Sequence, residues 1–281
     1  MTDEWFSLHL RDENHLSGPN PTAWATWSAE LETIREPHAE PGAAHWFFDP
    51  LDDGFALWVH TGAWHRHEIV RRFQHAAARR GWRLAQRAGD PPTGQFADPL
   101  GRRRAEELAT VSSELALDLC LAGEPTEGSG LPTAVLHLWS LLGAVSDAAR
   151  ASFLFSCWEH WTRGMRPGRR VALAGLAVQA ADSALARAGD LRADGRFRDA
   201  WHRQLHLVER VARDEASTGA TPVHYLMFEH AKSSAPRLGL PRDTLALAAS
   251  LLRTALRDGT VSGRLAAPVP PGSGRSVPAT R

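Results

Sequence analysis

The first ninety residues switch between two spacings of apolar positions. "EWFSLHL" (4–10) alternates and is aromatic, which predicts a strand. "NPTAWATWSAELETIRE" (20–36) repeats its apolar residues at helical spacing behind Asn20 and Pro21, a cap and first-turn pair. "AHWFFDP" (44–50) and "GFALWVHT" (54–61) are apolar runs joined by the short turn "LDDG", a hairpin pattern. "HEIVRRFQHAAARRG" (67–81) is an amphipathic helix that ends at a glycine, and "WRLAQRA" (82–88) predicts a fourth strand. The order β-α-β-β-α-β is that of the ferredoxin-like split unit.

"GDPPTGQFADPLG" (89–101) is turn chemistry and marks a boundary. Beyond it the period is helical throughout. "RRAEELATVSSELALDLCLA" (103–122) predicts a long helix, with a bend or a new N-cap at Ser112 and Ser113. After a loop at 124–133, helices are predicted at roughly 133–147, 148–163, 169–188, 195–214, 222–234 and 241–257. The last twenty residues are rich in Pro and Gly without an apolar period, which predicts a disordered tail. The expected fold class is therefore α+β. A ferredoxin-like portion (1–90) packs against a mainly helical portion (91–260), and a tail (261–281) follows.

Composition narrows the partners. Lys plus Arg and Asp plus Glu are both 32, so the chain lacks the basic excess of a nucleic-acid binder. Positive charge is local, in pairs such as Arg71-Arg72 and Arg79-Arg80, and Lys232 is the sole lysine. Cys120 and Cys157 lie in apolar helical contexts and form no C-x-x-C pair, which argues against structural zinc or dithiol chemistry. No run reaches 18 apolar residues, and "MTDEWFSLHLRDEN" has no signal-peptide pattern, so a cytoplasmic protein without a membrane span is expected.

Phosphate-loop, dinucleotide, nucleophile-elbow and H-E-x-x-H motifs are all absent. His202, His206 and Glu209 share one helix face at metal-like spacing but read more readily as a polar surface, and His65 and His67 alternate at a helix start and point apart. "TPVHYLMFEH" (221–230) is more distinctive. Its Tyr225 is the only tyrosine in a chain with 11 Trp and 10 Phe. As structural positions, Tyr225 would be half-buried, His224 a core or rim residue, and Glu229 and His230 surface residues. As functional groups, the phenol beside the imidazole of His224, with Glu229 one turn on, could donate and accept protons near neutral pH.

The order of these landmarks resembles the C-terminal elimination domain of lantibiotic dehydratases. The aromatic hairpin "HWFFDPLDDGFALWVH" is followed by the helix "TVSSELALDLC", then by "TPVHYLMFEHAKSSAPRLGLPRDTLALAASLLRTAL". In the last stretch Thr221, Val223, His224 and Arg237-Leu238-Gly239 take the places of that family's motif. The second hairpin strand, Phe55-Ala56-Leu57-Trp58-Val59, lacks the arginines with which that family typically meets a glutamyl group. The stand-alone length and apolar strand are closer to its thiopeptide pyridine synthase branch. That resemblance implies a cofactor-independent cyclase, with no metal. Such an enzyme joins two dehydroalanines of an azole-containing, leader-bearing precursor peptide by formal [4+2] aza-cycloaddition and releases water and leader. It implies Tyr225 and His224 as catalytic groups and Thr221, Ser112, Ser113, Glu229, Trp58 and Phe55 as substrate contacts. Basic helix positions Arg71, Arg72, Arg79 and Arg80 would hold an acidic leader. A split glutamate-elimination lyase and a non-catalytic precursor-binding partner are the alternatives.

Overall fold

Alternation in the first segment produces β1 (Glu4–Asp12), and the apolar hairpin produces β2 (Trp46–Leu51) and β3 (Gly54–Thr61). The computed structural model describes residues 4–13, 23–35, 45–92, 96, 98–122, 130–195, 197–218, 221–260 and 265. The predicted cap at Asn20-Pro21, most of the 124–133 loop and all of the predicted tail except Leu265 lie outside the described residues. Ala23–Trp27 forms a 3-10 turn that leads into α1 (Ser28–Arg35). Helix α2 (Ala63–Arg80) starts four residues before its predicted start and stops at Gly81, whose φ of 69° is the left-handed conformation that ends a helix. Strand β4 (Trp82–Ala88) follows directly.

The sheet order is β2-β3-β1-β4, with every neighbour antiparallel, which is the ferredoxin-like arrangement. Register sorts the side chains into two faces. Phe6, Leu8 and Leu10 pair with Val59, Leu57 and Phe55, and Trp46 and Phe48 pair with Val59 and Leu57. All of these are fully buried. Trp27 covers this face, stacked on Phe73 with ring centres 5.6 Å apart, and Trp24 lies 4.5 Å from Phe48. Each such burial stabilises the fold by about 1.5–3 kcal/mol. The opposite face carries Trp5, His9, Phe47, Trp58 and His60 in edge and stacked contacts.

The helical part begins with α3 (Pro99–Leu121). Asp98 caps it by accepting from the Gly101 amide at 2.6 Å. The new cap predicted at the serines does not form: α3 runs unbroken through them, and both hydroxyls bond elsewhere. Ser112 donates to the Ala109 carbonyl, and Ser113 accepts from the Phe48 amide of β2. The remaining helices are α4 (Gly130–Leu142), α5 (Asp147–Thr162), α6 (Pro167–Ala193), α7 (Arg198–Thr218), α8 (Val223–Arg237) and α9 (Arg242–Arg257). Helix α9 packs against α4, α5 and α6 through buried Leu245, Ala248, Leu251 and Leu252. Helices α3 and α8 both lie against β2 and join the two parts. The fold class is α+β, as predicted.

Gly54 sits where the hairpin crosses β1. A Cβ there would lie 1.9 Å from the Leu10 carbonyl oxygen. Gly54→Ala should therefore destabilise the protein by about 1–3 kcal/mol in urea unfolding, as overpacking does. A wild-type midpoint would contradict this close approach.

Candidate functional site

Helix α8 places Leu226, Glu229, His230, Ser233 and Arg237 along one stripe, at the i, i+3, i+4, i+7 and i+11 spacing of a single helix face. The stripe looks onto Phe47 and Asp49 of β2 and Ala105 and Ala109 of α3. Together with Pro92 and Phe96 these residues line a cavity of about 70 Å³. That space admits one small ring or side chain rather than a folded peptide.

The floor of the cavity is the Arg237 guanidinium, only 2% exposed. It donates through Nε to the Phe48 carbonyl (2.7 Å), through Nη1 to Ser112 Oγ (3.2 Å) and through Nη2 to Asp49 Oδ1 (2.6 Å). Its plane also lies 5.2 Å from the centre of the Phe47 ring. Opposite it, Glu229 pairs with Lys232 at 2.8 Å. The single lysine of the chain thus neutralises a carboxylate of the cavity, as Arg237 neutralises Asp49.

Behind the wall lies a buried, uncharged polar network. Ser234 Oγ donates to the His230 carbonyl (2.6 Å), so its single hydrogen is used and His137 Nε2–H donates to it (2.8 Å). His137 Nδ1 is then a bare acceptor, buried without a partner. Gln204 lies 3.3 Å from His230 Nε2. Burial holds both imidazoles neutral: the pKa of His137 falls to about 4 and that of His230 falls well below its usual value, with His137 and Arg237 adding to the shift.

The sequence-predicted residues divide among several places. Glu229 lines the cavity, and its side chain is largely buried rather than at the surface as its structural reading held. His230, also read as a surface residue, is 4% exposed and lines the cavity. Its signal was present: it continues the buried series Leu226, Met227, Ala231 and Ala235 at helical spacing. Tyr225, 39% exposed, stands one turn before Glu229 and meets the cavity residue Phe96 edge-on at 6.2 Å, so its ring is at the rim. His224 is exposed on the first turn of α8, not a core residue. Thr221 donates to Asp98 at 3.1 Å and ties the entry of α8 to the cap of α3. Ser112 and Ser113 are fully buried behind the cavity and hydrogen-bonded to protein. Trp58 stacks on Phe47, whose other neighbour is the cavity. Phe55 presents no surface to a ligand, because it is enclosed by Trp27, Phe48 and Trp82.

The four leader-binding arginines also differ. Arg80 is committed to a two-point pair with Glu30 and lies over Trp27 at 4.6 Å, so it is a structural residue. Arg71 and Arg72 are exposed beside Glu68, and Arg79 is exposed. The cavity residues that sequence reasoning did not reach are Phe47, Asp49 and Phe96. Their part depends on the tertiary meeting of β2, α3 and α8.

Among the described residues no group of three or more His, Cys, Asp or Glu is arranged to hold a metal ion. No helix among them is long and apolar enough to cross a membrane. Both cysteines are free, and burial pushes both thiols up.

The fold defines a ferredoxin-like sheet joined to a helical bundle. No protein-family model matches the chain, and no curated protein matches it. Among solved structures it is similar to one described as "Pyridine synthase, TbtD, from thiomuracin biosynthesis". The two share 16% sequence identity at a TM-score of 0.55, over 91% of this chain and 98% of that one. At this identity the likeness is one of fold, and it extends over both parts of the molecule.

Two outcomes test the site as built. Arg237→Met strips partners from Asp49, Ser112 and the Phe48 carbonyl and should cost about 3–5 kcal/mol in urea unfolding, whereas Arg71→Ala at an exposed pair should stay within about 0.5 kcal/mol. The buried histidines should also make stability fall with pH. Their folded pKa lies below 6.5, so the unfolded chain binds protons that the native chain excludes. For His137 stability is complete above 6.5 and is lost as pH drops toward about 4, at about 1.4 kcal/mol per pH unit. Glu106, raised to about 6 by burial, works in the opposite sense below that pH. The decisive comparison is therefore wild type against His137→Asn, whose unfolding free energy should vary less steeply between pH 6.5 and 4.

Proposed function

We propose that this chain is a cyclase of thiopeptide-type peptide maturation, joining two dehydroalanines of an azole-bearing precursor at the rim of the cavity between β2 and α8, which seats a single ring of the substrate. The observation that carries the reading is the cavity's chemistry within that fold. It is aromatic on one side (Phe47, Phe96), and its cation Arg237 is already paired with Asp49, as the neighbouring Lys232 is with Glu229. An uncharged, flat peptide segment suits such a site. A glutamyl carboxylate would need a cation free to receive it, and Lys232 and Arg237 are engaged with Glu229 and Asp49. This favours cyclisation over glutamate elimination.

In the proposed reaction an amide of the substrate tautomerises to its iminol, which makes a 2-azadiene. Two carbon–carbon bonds then form to the second alkene, and loss of water and of the leader leaves the aromatic ring. Holding diene and dienophile together contributes up to roughly 7–11 kcal/mol, while positioned acid–base groups add about 10²–10⁴ in rate. The wall built by Phe47 and Phe96, with Trp58 stacked behind Phe47, therefore matters most. Tyr225 at the rim would donate to the amide oxygen. Glu229 inside would take the N–H proton. His224, exposed on the first turn of α8, would assist the later loss of water. Arg71, Arg72 and Arg79 remain the face offered to an acidic leader.

The test is to incubate the purified protein with a dehydrated, azole-bearing precursor and to follow mass. Cyclisation gives a product lighter by the leader and one water. Loss of glutamate without ring closure, or binding without any product, would overturn the reading. Tyr225→Phe should slow ring formation by about 10²-fold and leave peptide binding nearly unchanged. Unaltered turnover would remove the phenol from the chemistry.

A further inference from the structure

A larger hollow lies on the far side of the helical part. It measures about 340 Å³ and sits where the ends of α4 and α6 meet the starts of α5 and α7, with Trp139, Trp201 and Leu205 among its walls. Among the described residues no carboxylate lines it, while Arg150, Arg192 and His202 do. Arg150 is committed to its own turn: it donates to the Leu142 and Val145 carbonyls and pairs with Asp147. Arg192, in the last turn of α6, reaches instead to the main-chain carbonyl of Leu265, whose side chain is 1% exposed and forms part of the lining. Burial disfavours the charge of Arg192, so a carbonyl partner has added worth there. Trp201 adds an unmet demand, since among the described residues its buried indole N–H has no acceptor. His202, read from the sequence as a possible metal ligand, belongs to this hollow.

The contact at Leu265 is one by which a groove reads a peptide: an apolar side chain enters a pocket between aromatic walls, and a guanidinium fixes the adjoining backbone carbonyl. The hollow is about five times the volume of the cavity at β2, so space remains beside Leu265 for further residues. We infer that this groove is a second peptide site, one that takes an extended segment through a leucine-sized side chain and a main-chain carbonyl. The chain's own Leu265 is its resident occupant. A tethered occupant competes at an effective concentration on the order of millimolar, so a peptide supplied in solution enters only when the segment is displaced.

The experiment uses the full chain and a fluorescein-labelled synthetic peptide of residues 261–268, read by fluorescence anisotropy. Wild type should bind it weakly. Leu265→Asp, which ejects the resident leucine, should bind at least about tenfold more tightly, and adding Arg192→Gln should reverse that gain. A peptide with aspartate in place of its leucine should not bind. Leu265→Ala, which is milder, is read in the same way in case the aspartate variant unfolds. Equal, weak binding by wild type and both Leu265 variants would overturn the inference, and so would an Arg192→Gln variant that binds like its parent. None of these readouts depends on the cyclase reading.

Discussion

A guanidinium with almost no access to water holds the two parts of this protein together. Removing Arg237 from solvent is costly, and the cost is offset only because three of its donors find oxygens on two other elements. The Phe48 carbonyl and Asp49 fix it to β2, and Ser112 fixes it to α3. It is the last residue of α8. Gly239, at φ 65°, then turns the chain toward α9. If this convergence slackened, the sheet edge, α3 and the stripe of α8 would lose their common register, and the cavity they bound would lose its floor. Ser113, bonded to the Phe48 amide, reinforces the same seam from the adjacent position of α3.

The seam also sets the electrostatics of the cavity. Asp49 enters it already neutralised by Arg237, Glu229 enters it already paired with Lys232, and the histidines behind it are kept uncharged by burial. What is left to a ligand is an aromatic wall, the remaining lone pairs of the paired Glu229 carboxylate and the Tyr225 phenol at the rim. Such a site gains more from holding a substrate's shape than from binding its charge. This supports a reaction between two uncharged alkenes more readily than recognition of a glutamyl anion.

The sheet was legible because its signals are local. Period-two alternation in 4–10, paired apolar runs around a two-residue turn, and a glycine after "AAARR" each act over a few residues, and the strand order followed from their sequence. The helix boundaries were read to within a few residues for the same reason. What resisted reading was tertiary. Ser112 and Ser113 look like a helix interruption until the Phe48 amide and the Arg237 guanidinium arrive from distant segments to use their oxygens. Phe55 and Trp58 are equivalent as aromatic residues of one strand, yet register sends Phe55 into the core and Trp58 to the face that adjoins the cavity. Arg80 belongs to the same basic helix as Arg71, but only the tertiary position of Glu30 shows that it is already engaged. His230 had the right spacing for burial; a polar residue on a buried stripe is accepted when partners such as Gln204 await it, and those partners are not visible along the chain.

The most direct measurement is a crystal structure of the protein with an unreactive peptide that carries an azole and two saturated analogues of the dehydroalanines. The expected result is an azole ring packed against Phe47 and Phe96, with the reacting amide within hydrogen-bond distance of Tyr225 or Glu229. A peptide held elsewhere on the surface, with the space between β2 and α8 unchanged, would contradict the assignment of this cavity as the reaction site.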